Sequence, residues 1–218
     1  MSDIIVSEIS KSFDGREILH SLSFTVKSGE FLSITGESGS GKSTLLGIMG
    51  GVLRPDKGSV TVGGTDIAKL SEKELAKMRR TRLGFVYQFF NLIPTMTVRD
   101  NILLPLILDG KKVSDYQSKM EELVAFTHLS QVLNAYPDTL SGGEQQRAAI
   151  LRALIHDPEL ILLDEPTGNL DSENADAVMR LLADLNEKYG VTVVQVTHSE
   201  HGVAYGNRTI TIKDGALQ

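Results

Sequence analysis

The chain has no cysteine and no tryptophan. Without thiols it forms no disulfide and no thiolate metal site, which suits a reducing compartment. It also lacks a long apolar run. The longest candidate, ILLPLIL from Ile102, falls far short of the roughly 20 residues that cross a bilayer, and it contains Pro105. The opening segment MSDIIVSEIS carries no basic stretch, and its apolar run is too short for a signal peptide. Excess positive charge is missing as well. Twenty-two Lys and Arg against 28 Asp and Glu leave a net charge of −6, which argues against binding nucleic acid by neutralising phosphates. Repeats and low-complexity tracts are absent. What is present is an ordinary globular mixture, 41% hydrophobic and 23% charged over 218 residues. That length predicts one domain with a real core.

The pattern alternates between strand and helix signals. Ile4 to Phe13 reads as a strand closed by a turn at Asp14-Gly15, and Ser21 to Val26 as another. FLSIT, Phe31 to Thr35, is a short β-rich run that feeds a glycine loop, with a helix from about Gly41 to Gly50. SVTVGG from Ser59 predicts a strand and a turn. Ser71 with Glu74 predicts a capping box opening a helix, and so does Ser114 with Gln117. LGFVY (Leu83 to Tyr87), LILLDEP from Leu160 and VTVVQVTH from Val191 are apolar throughout. Such strands are covered on both faces, as in a parallel α/β sheet. Residues 89–157 lack strands of this kind and look helical. The expected architecture is an α/β core, about 1–88 and 158–218, with an inserted helical lobe, about 89–157, and a small antiparallel piece made by the early strands. The basic cluster Lys77, Arg79, Arg80 and Arg82 reads as a solvated helix face.

Gly36 to Ser43, GESGSGKS, matches G-x-x-x-x-G-K-[ST], with a strand before it and a helix after it. Glycines let the backbone curl until several N–H groups point inward, and the helix start adds about half a positive charge. The phosphate seat is therefore Gly36, Glu37, Ser38, Gly39, Ser40, Gly41, Lys42, Ser43 and Thr44. Lys42 is expected to reach the β- and γ-phosphates, and the Ser43 hydroxyl to ligate Mg²⁺. Asp164 and Glu165 end an apolar strand, at the sheet edge where ligands bind. Asp164 is expected to hold Mg²⁺ and Glu165 to orient or deprotonate the attacking water.

A second glycine-rich helix start raises a question. LSGGE, Leu140 to Glu144, is a plausible anion seat with no lysine, worth about 1 kcal/mol from the helix dipole. That is too little to bind a nucleotide alone. It matters if it completes a site built elsewhere. The two seats fall on different lobes, so a second copy, facing head-to-tail, could supply the missing half, and a two-fold dimer does so twice.

In this order the motifs resemble the nucleotide-binding subunit of an ABC transporter, over nearly the whole chain. The lysine loop, Gln88 in FVYQFFNLIP, LSGGE, LILLDEP, GNLD ending at Asp171, and His198 in VQVTHS follow the family's sequence of motifs. The resemblance implies a P-loop NTPase with a RecA-like core, a small antiparallel β-subdomain and a helical lobe. It implies ATP and Mg²⁺ as cofactors, ATP hydrolysis, and a homodimer formed with ATP. By the same likeness Gln88 senses Mg²⁺ and the attacking water, and His198 bonds the γ-phosphate and steadies Glu165. Phe13 stacks on adenine, and Ser141, Gly142, Gly143, Glu144 and Asp171 reach the partner copy's nucleotide. Glu144 stands where the family most often has Gln, and ILRAL where IARAL is usual.

A chain of this kind makes no pore. The likeness implies a cytoplasmic subunit held at the inner face of the cell membrane by separate permease subunits. The apolar segment from Phe89, with Phe90, Asn91 and Leu92, is the expected contact. FNLIP and PTGNLD most resemble the ATPases of lipoprotein-releasing and macrolide-export systems. Two other classes share the lysine loop. Soluble machines acting on DNA or ribosomes usually carry coiled-coil insertions or tandem ATPase units, and small-molecule kinases need neither LSGGE nor GNLD.

Overall fold

The computed structural model describes residues 3–218. Strand β1 (Ile4–Phe13) turns at Asp14-Gly15, both in left-handed backbone, into the antiparallel β2 (Arg16–Val26). The second strand thus starts five residues earlier than its apolar pattern announces. Its first half is mostly exposed, with Leu19 alone turned into the core, and the His20 N–H donates to the Gly215 carbonyl at 2.8 Å. Strand β3 (Phe31–Thr35) leads into helix α1 (Lys42–Met49). Strands β4 (Lys57–Val62) and β5 (Thr65–Asp66) join the first two in an antiparallel sheet of order β2-β1-β4-β5. This is the smaller piece that the early strands predict.

Helix α2 (Glu72–Thr81) starts on the expected box. Ser71 Oγ accepts the Glu74 N–H, and the Glu74 carboxylate accepts the Ser71 N–H at 2.8 Å. Strand β6 (Leu83–Tyr87) follows, then helices α3 (Val98–Leu108), α4 (Gln117–Phe126) and α5 (Gly142–Leu154). The second expected box does not form. Val113–Tyr116 wind into a 3₁₀ turn with Ser114 inside it, and Ser114 Oγ turns to Asp115 instead. The helix then begins at Gln117 without a side-chain cap. Strand β7 (Leu160–Asp164), helix α6 (Ser172–Tyr189), strand β8 (Thr192–Val196), helix α7 (Glu200–Val203) and strands β9 (Arg208–Lys213) and β10 (Ala216–Leu217) complete the chain.

The large sheet has the order β10-β9-β3-β8-β7-β6, parallel except for β10. Alternation along β7 shows why its strands are apolar throughout. Ile161 and Leu163 point into one core with α3, α5 and α6, while Leu160 and Leu162 point into the other with α1 and α2. Losing one of these leucines to alanine costs roughly 2–5 kcal/mol. Helix α5 lies close on β6 because residue 84 is glycine. A Cβ there would stand 2.4 Å from the Ala153 carbonyl oxygen.

The basic cluster is not a solvated face. Arg82 pairs with Glu159 at 2.6 Å and donates to the Val62 and Gly63 carbonyls, tying the two sheets together. Arg79 donates to the Gly51 carbonyl, and Arg80 lies 3.8 Å from Asp109. Only Lys77 is exposed. The α2 guanidiniums find carbonyls and carboxylates on neighbouring elements, partners that a helical-face reading does not contain. No helix among the described residues is long and apolar enough to cross a membrane.

Candidate active site

Strands β3, β7 and β8 run parallel, so their carboxyl ends deliver three loops to one edge of the sheet. The loop after β3 curls through Gly36, Gly39 and Gly41, all at positive φ, before α1 begins. At Gly36 a side chain is excluded outright, since a Cβ would lie 2.1 Å from the Ile212 carbonyl oxygen. Lys42 is buried, and its Nζ donates to the Gly36 and Glu37 carbonyls at 2.9 and 2.8 Å. The ammonium is thus folded back across its own loop. Ser40 is buried beneath the loop, with a hydroxyl that has no protein partner.

Ser43 Oγ donates to Asp164 Oδ1 at 3.0 Å. Burial pushes the Asp164 carboxyl up, and the neighbouring Glu165 charge adds to that. The Ser43 hydrogen bond and Lys42 pull it down. The hydroxyl and carboxylate form a compact pair of hard oxygen donors, the set that Mg²⁺ prefers when phosphate oxygens complete its shell.

Glu165 has left-handed backbone, φ 47°. Its N–H donates to the Val196 carbonyl and its own carbonyl accepts from Gly168, which fixes the bend at the strand end. The bend turns the carboxylate toward β8, where Oε1 lies 2.8 Å from His198 Nδ1. A carboxylate only accepts, so Nδ1 carries the proton of that bond. Gln88, at the end of β6, donates from Nε2 to Asn169 Oδ1 at 3.3 Å, and Asn169 Nδ2 donates back to the Gln88 carbonyl at 2.8 Å.

These groups surround one cavity of about 550 Å³. Phe13, Ser38, Gly39, Gly41, Lys42, Ser43, Thr44, Gln88, Glu165 and His198 line it, together with Ile18. Phe13 is an exposed ring at its rim, with Lys11 Nζ 5.3 Å from the ring centre. Gly36, Glu37, Ser40 and Asp164 shape the loop and strand end without lining the space. Ser141, Gly142, Gly143, Glu144 and Asp171 do not line it either. They gather on another surface, where the α5 and α6 starts abut. A Cβ on Gly143 would meet Asn174 Oδ1 at 2.5 Å, and one on Gly142 would meet Leu170 at 3.1 Å. Asp171 caps α6, and hydrogen bonds from Asn174 hold its carboxyl below the usual range.

Sequence reasoning missed Ile18, a cavity wall drawn from the second strand, and three polar ties. Asn169 stood inside the quoted GNLD without a role. Gln146, wholly buried, donates to the Pro166 carbonyl at 2.5 Å and so fixes α5 to the loop after Glu165. Arg152 donates to the Phe90 carbonyl at 2.8 Å and the Asn91 carbonyl at 2.5 Å, holding two successive left-handed residues. Gln146 and Arg152 look like ordinary polar positions of a helix until the segments they face are known.

The glycine loop, its buried lysine and the paired acids at the sheet edge mark the chain as a P-loop ATPase. More narrowly, the chain belongs to the ABC transporter family, whose model matches residues 19–168. It is 45% identical over 91% of its length to YvcR, an uncharacterised ABC transporter ATP-binding protein of Bacillus subtilis, covering 77% of that relative. It is 43% identical over its whole length to the lipoprotein-releasing system ATP-binding protein LolD of Geobacter metallireducens, covering 99% of it. Among solved structures it is similar to the dimeric ATP-binding cassette MJ0796 in a post-hydrolysis state bound to ADP and Pi. There the TM-score is 0.88 at 39% identity, over 99% of this chain and 96% of that one. The chain is an ATP-binding, ATP-hydrolysing subunit of an ABC transporter.

Proposed function

We propose that two copies pair head-to-tail on ATP, and that each ATP is held by the lysine loop of one copy and the LSGGE helix of the other. The observation that carries this reading is the separation described above. Ser141 to Glu144 and Asp171 form one surface that does not border the cavity containing Lys42 of the same chain. A phosphate seat of backbone N–H groups and a helix start is therefore left facing outward.

Within each site Lys42 leaves the Gly36 and Glu37 carbonyls for the phosphates. Ser43, Asp164 and Gln88 would hold Mg²⁺, which would supply neutralisation of the phosphate charge. Glu165 orients the attacking water and accepts its proton. His198 already gives its Nδ1 proton to Glu165. Its Nε2, on the other side of the ring, is left for a γ-phosphate oxygen. Phe13 stacks on adenine at the rim.

Residues 89–157 act as a lobe that moves on the core of 1–88 and 158–218 and transmits the nucleotide state. Gln88 is the link, since it lines the cavity and is the last core residue before the chain enters the lobe. The next residues, Phe89, Phe90, Asn91 and Leu92, meet a helix of a separate membrane permease. Phe89 is 73% exposed, and Asn91 borders a groove of about 260 Å³ that Leu83, Phe85, Tyr87 and Leu104 also line. The subunit then lies at the inner face of the cell membrane through that permease. Likeness to a lipoprotein-releasing ATPase over the full length favours lipoprotein release as the work done, with macrolide or peptide export as the nearest relative chemistry.

The experiment is Glu165→Gln. ATP binding should persist, an ATP-bound dimer should accumulate, and turnover should fall about 10²-fold or more. Turnover near wild type would remove Glu165 from the chemistry.

A further inference from the structure

The LSGGE helix start is already occupied by its own side chain. Ser141 Oγ donates to Glu144 Oε2 at 2.7 Å and accepts the Glu144 N–H at 3.3 Å. The same Oε2 accepts the Ser141 N–H at 2.8 Å. Ser141 and Glu144 thus form a reciprocal capping box on α5. A serine hydroxyl has one proton, and here it is committed to a carboxylate. That carboxylate also neutralises part of the helix-start charge that makes the segment an anion seat. Arg147 is the cation that faces Glu144, and its Nε has no partner.

We propose that Glu144 is a positioning residue that holds the Ser141 hydroxyl away from the partner copy's ATP, and so raises the ATP needed to close the dimer. The inference rests on the head-to-tail reading above. On closure, Ser141 must turn its proton from Glu144 to a phosphate oxygen, with the Glu144 carboxylate left within about 5 Å of that oxygen. Screened by water and salt to an effective dielectric of roughly 50, like charges at that distance weaken binding about tenfold per site. Two sites close together in one symmetric dimer, so the effect compounds to about a hundredfold in dimer affinity. The repulsion favours reopening once the terminal phosphate has been split.

The test uses the full chain carrying Glu165→Gln, with dimer formation followed by sedimentation at a series of ATP and protein concentrations. Adding Glu144→Gln keeps an S-x-x-Q capping box and removes the charge. The dimer dissociation constant should fall about a hundredfold while the melting temperature stays level. Glu144→Asp, which keeps the charge, should give no tightening. Adding Ser141→Ala to Glu144→Gln should cancel the gain, and added salt should narrow the difference between Glu and Gln. Equal or weaker dimerisation of the Gln variant, where the parent dimerises normally, overturns the inference alone. A parent that stays monomeric at saturating ATP overturns the dimer reading and the inference with it.

Discussion

At the scale of single residues the site is built from groups held in unfavourable states by their surroundings. Glu165 sits in left-handed backbone, which costs a non-glycine residue roughly 1–2 kcal/mol, and a hydrogen bond donated to β8 and one accepted from Gly168 keep it there. Lys42 is buried with only carbonyls for partners, so a phosphate is a better ligand than what it has. Lys42→Ala should weaken ATP binding at least about tenfold by isothermal titration, and unchanged affinity would contradict the phosphate seat. His156 shows the same economy away from the chemistry. Burial lowers its pKa to about 4, and its Nε2 bonds the Leu83 carbonyl at 3.0 Å. A histidine with a lowered folded pKa contributes stability that is fully present above its unfolded value, near 6.5, and is lost as pH falls toward 4. The amount is roughly 3 kcal/mol. Chemical denaturation across pH 7 to 4 should show a steeper loss in wild type than in His156→Gln. Parallel curves would mean that His156 does not titrate in the fold.

At the scale of elements, the segment between β6 and α3, proposed to carry the coupling, is held by side chains from α3 and α5. Asn101 is wholly buried. Its Oδ1 accepts the Ile93 N–H at 2.7 Å, and its Nδ2 reaches the carbonyls of Ile93, Met96 and Thr97. Asn101→Leu orphans the Ile93 N–H and should cost roughly 2–4 kcal/mol of unfolding free energy, with faster hydrogen exchange in residues 91–97. A loss under half a kilocalorie per mole would deny Asn101 its anchoring role. The strands and glycine loops here were readable because each follows from local chemistry: apolar runs need cover on both faces, and a phosphate loop needs glycine. Ser71 and Ser141 cap their helices through an acid three residues on. Ser114 has the same spacing to Gln117, yet the chain spends that stretch in a 3₁₀ turn. Likewise the early half of β2 has no apolar alternation, because only Leu19 there is buried and pairing with β1 does the rest. Arg82, Gln146, Arg152 and Asn169 were illegible for one reason: each bonds a segment distant in sequence.

At the scale of the whole molecule, two hydrophobic cores sandwich the parallel sheet, and ion pairs tie α4 to its surroundings. Lys188 meets Glu122 at 2.7 Å and Lys119 meets Asp157. These partly exposed pairs contribute little to stability. Of the two, only Lys188–Glu122 joins the core to residues 89–157, so in the proposed lobe motion it is the pair that opens. Breaking one with Glu122→Gln should leave the melting temperature within about 2 °C while changing the ATP dependence of turnover. A large fall in melting temperature would make the pair structural instead. The central claim is that neither copy owns a complete site, and mixing two defective copies tests it most directly. One copy carries Lys42→Ala, and the other carries Ser141→Arg, which blocks the outward seat. Each alone should be nearly inactive. Random pairing gives heterodimers with one intact site, so an equal mixture should recover about a quarter of wild-type ATPase activity. A mixture no more active than the two copies measured separately would contradict a site shared between chains.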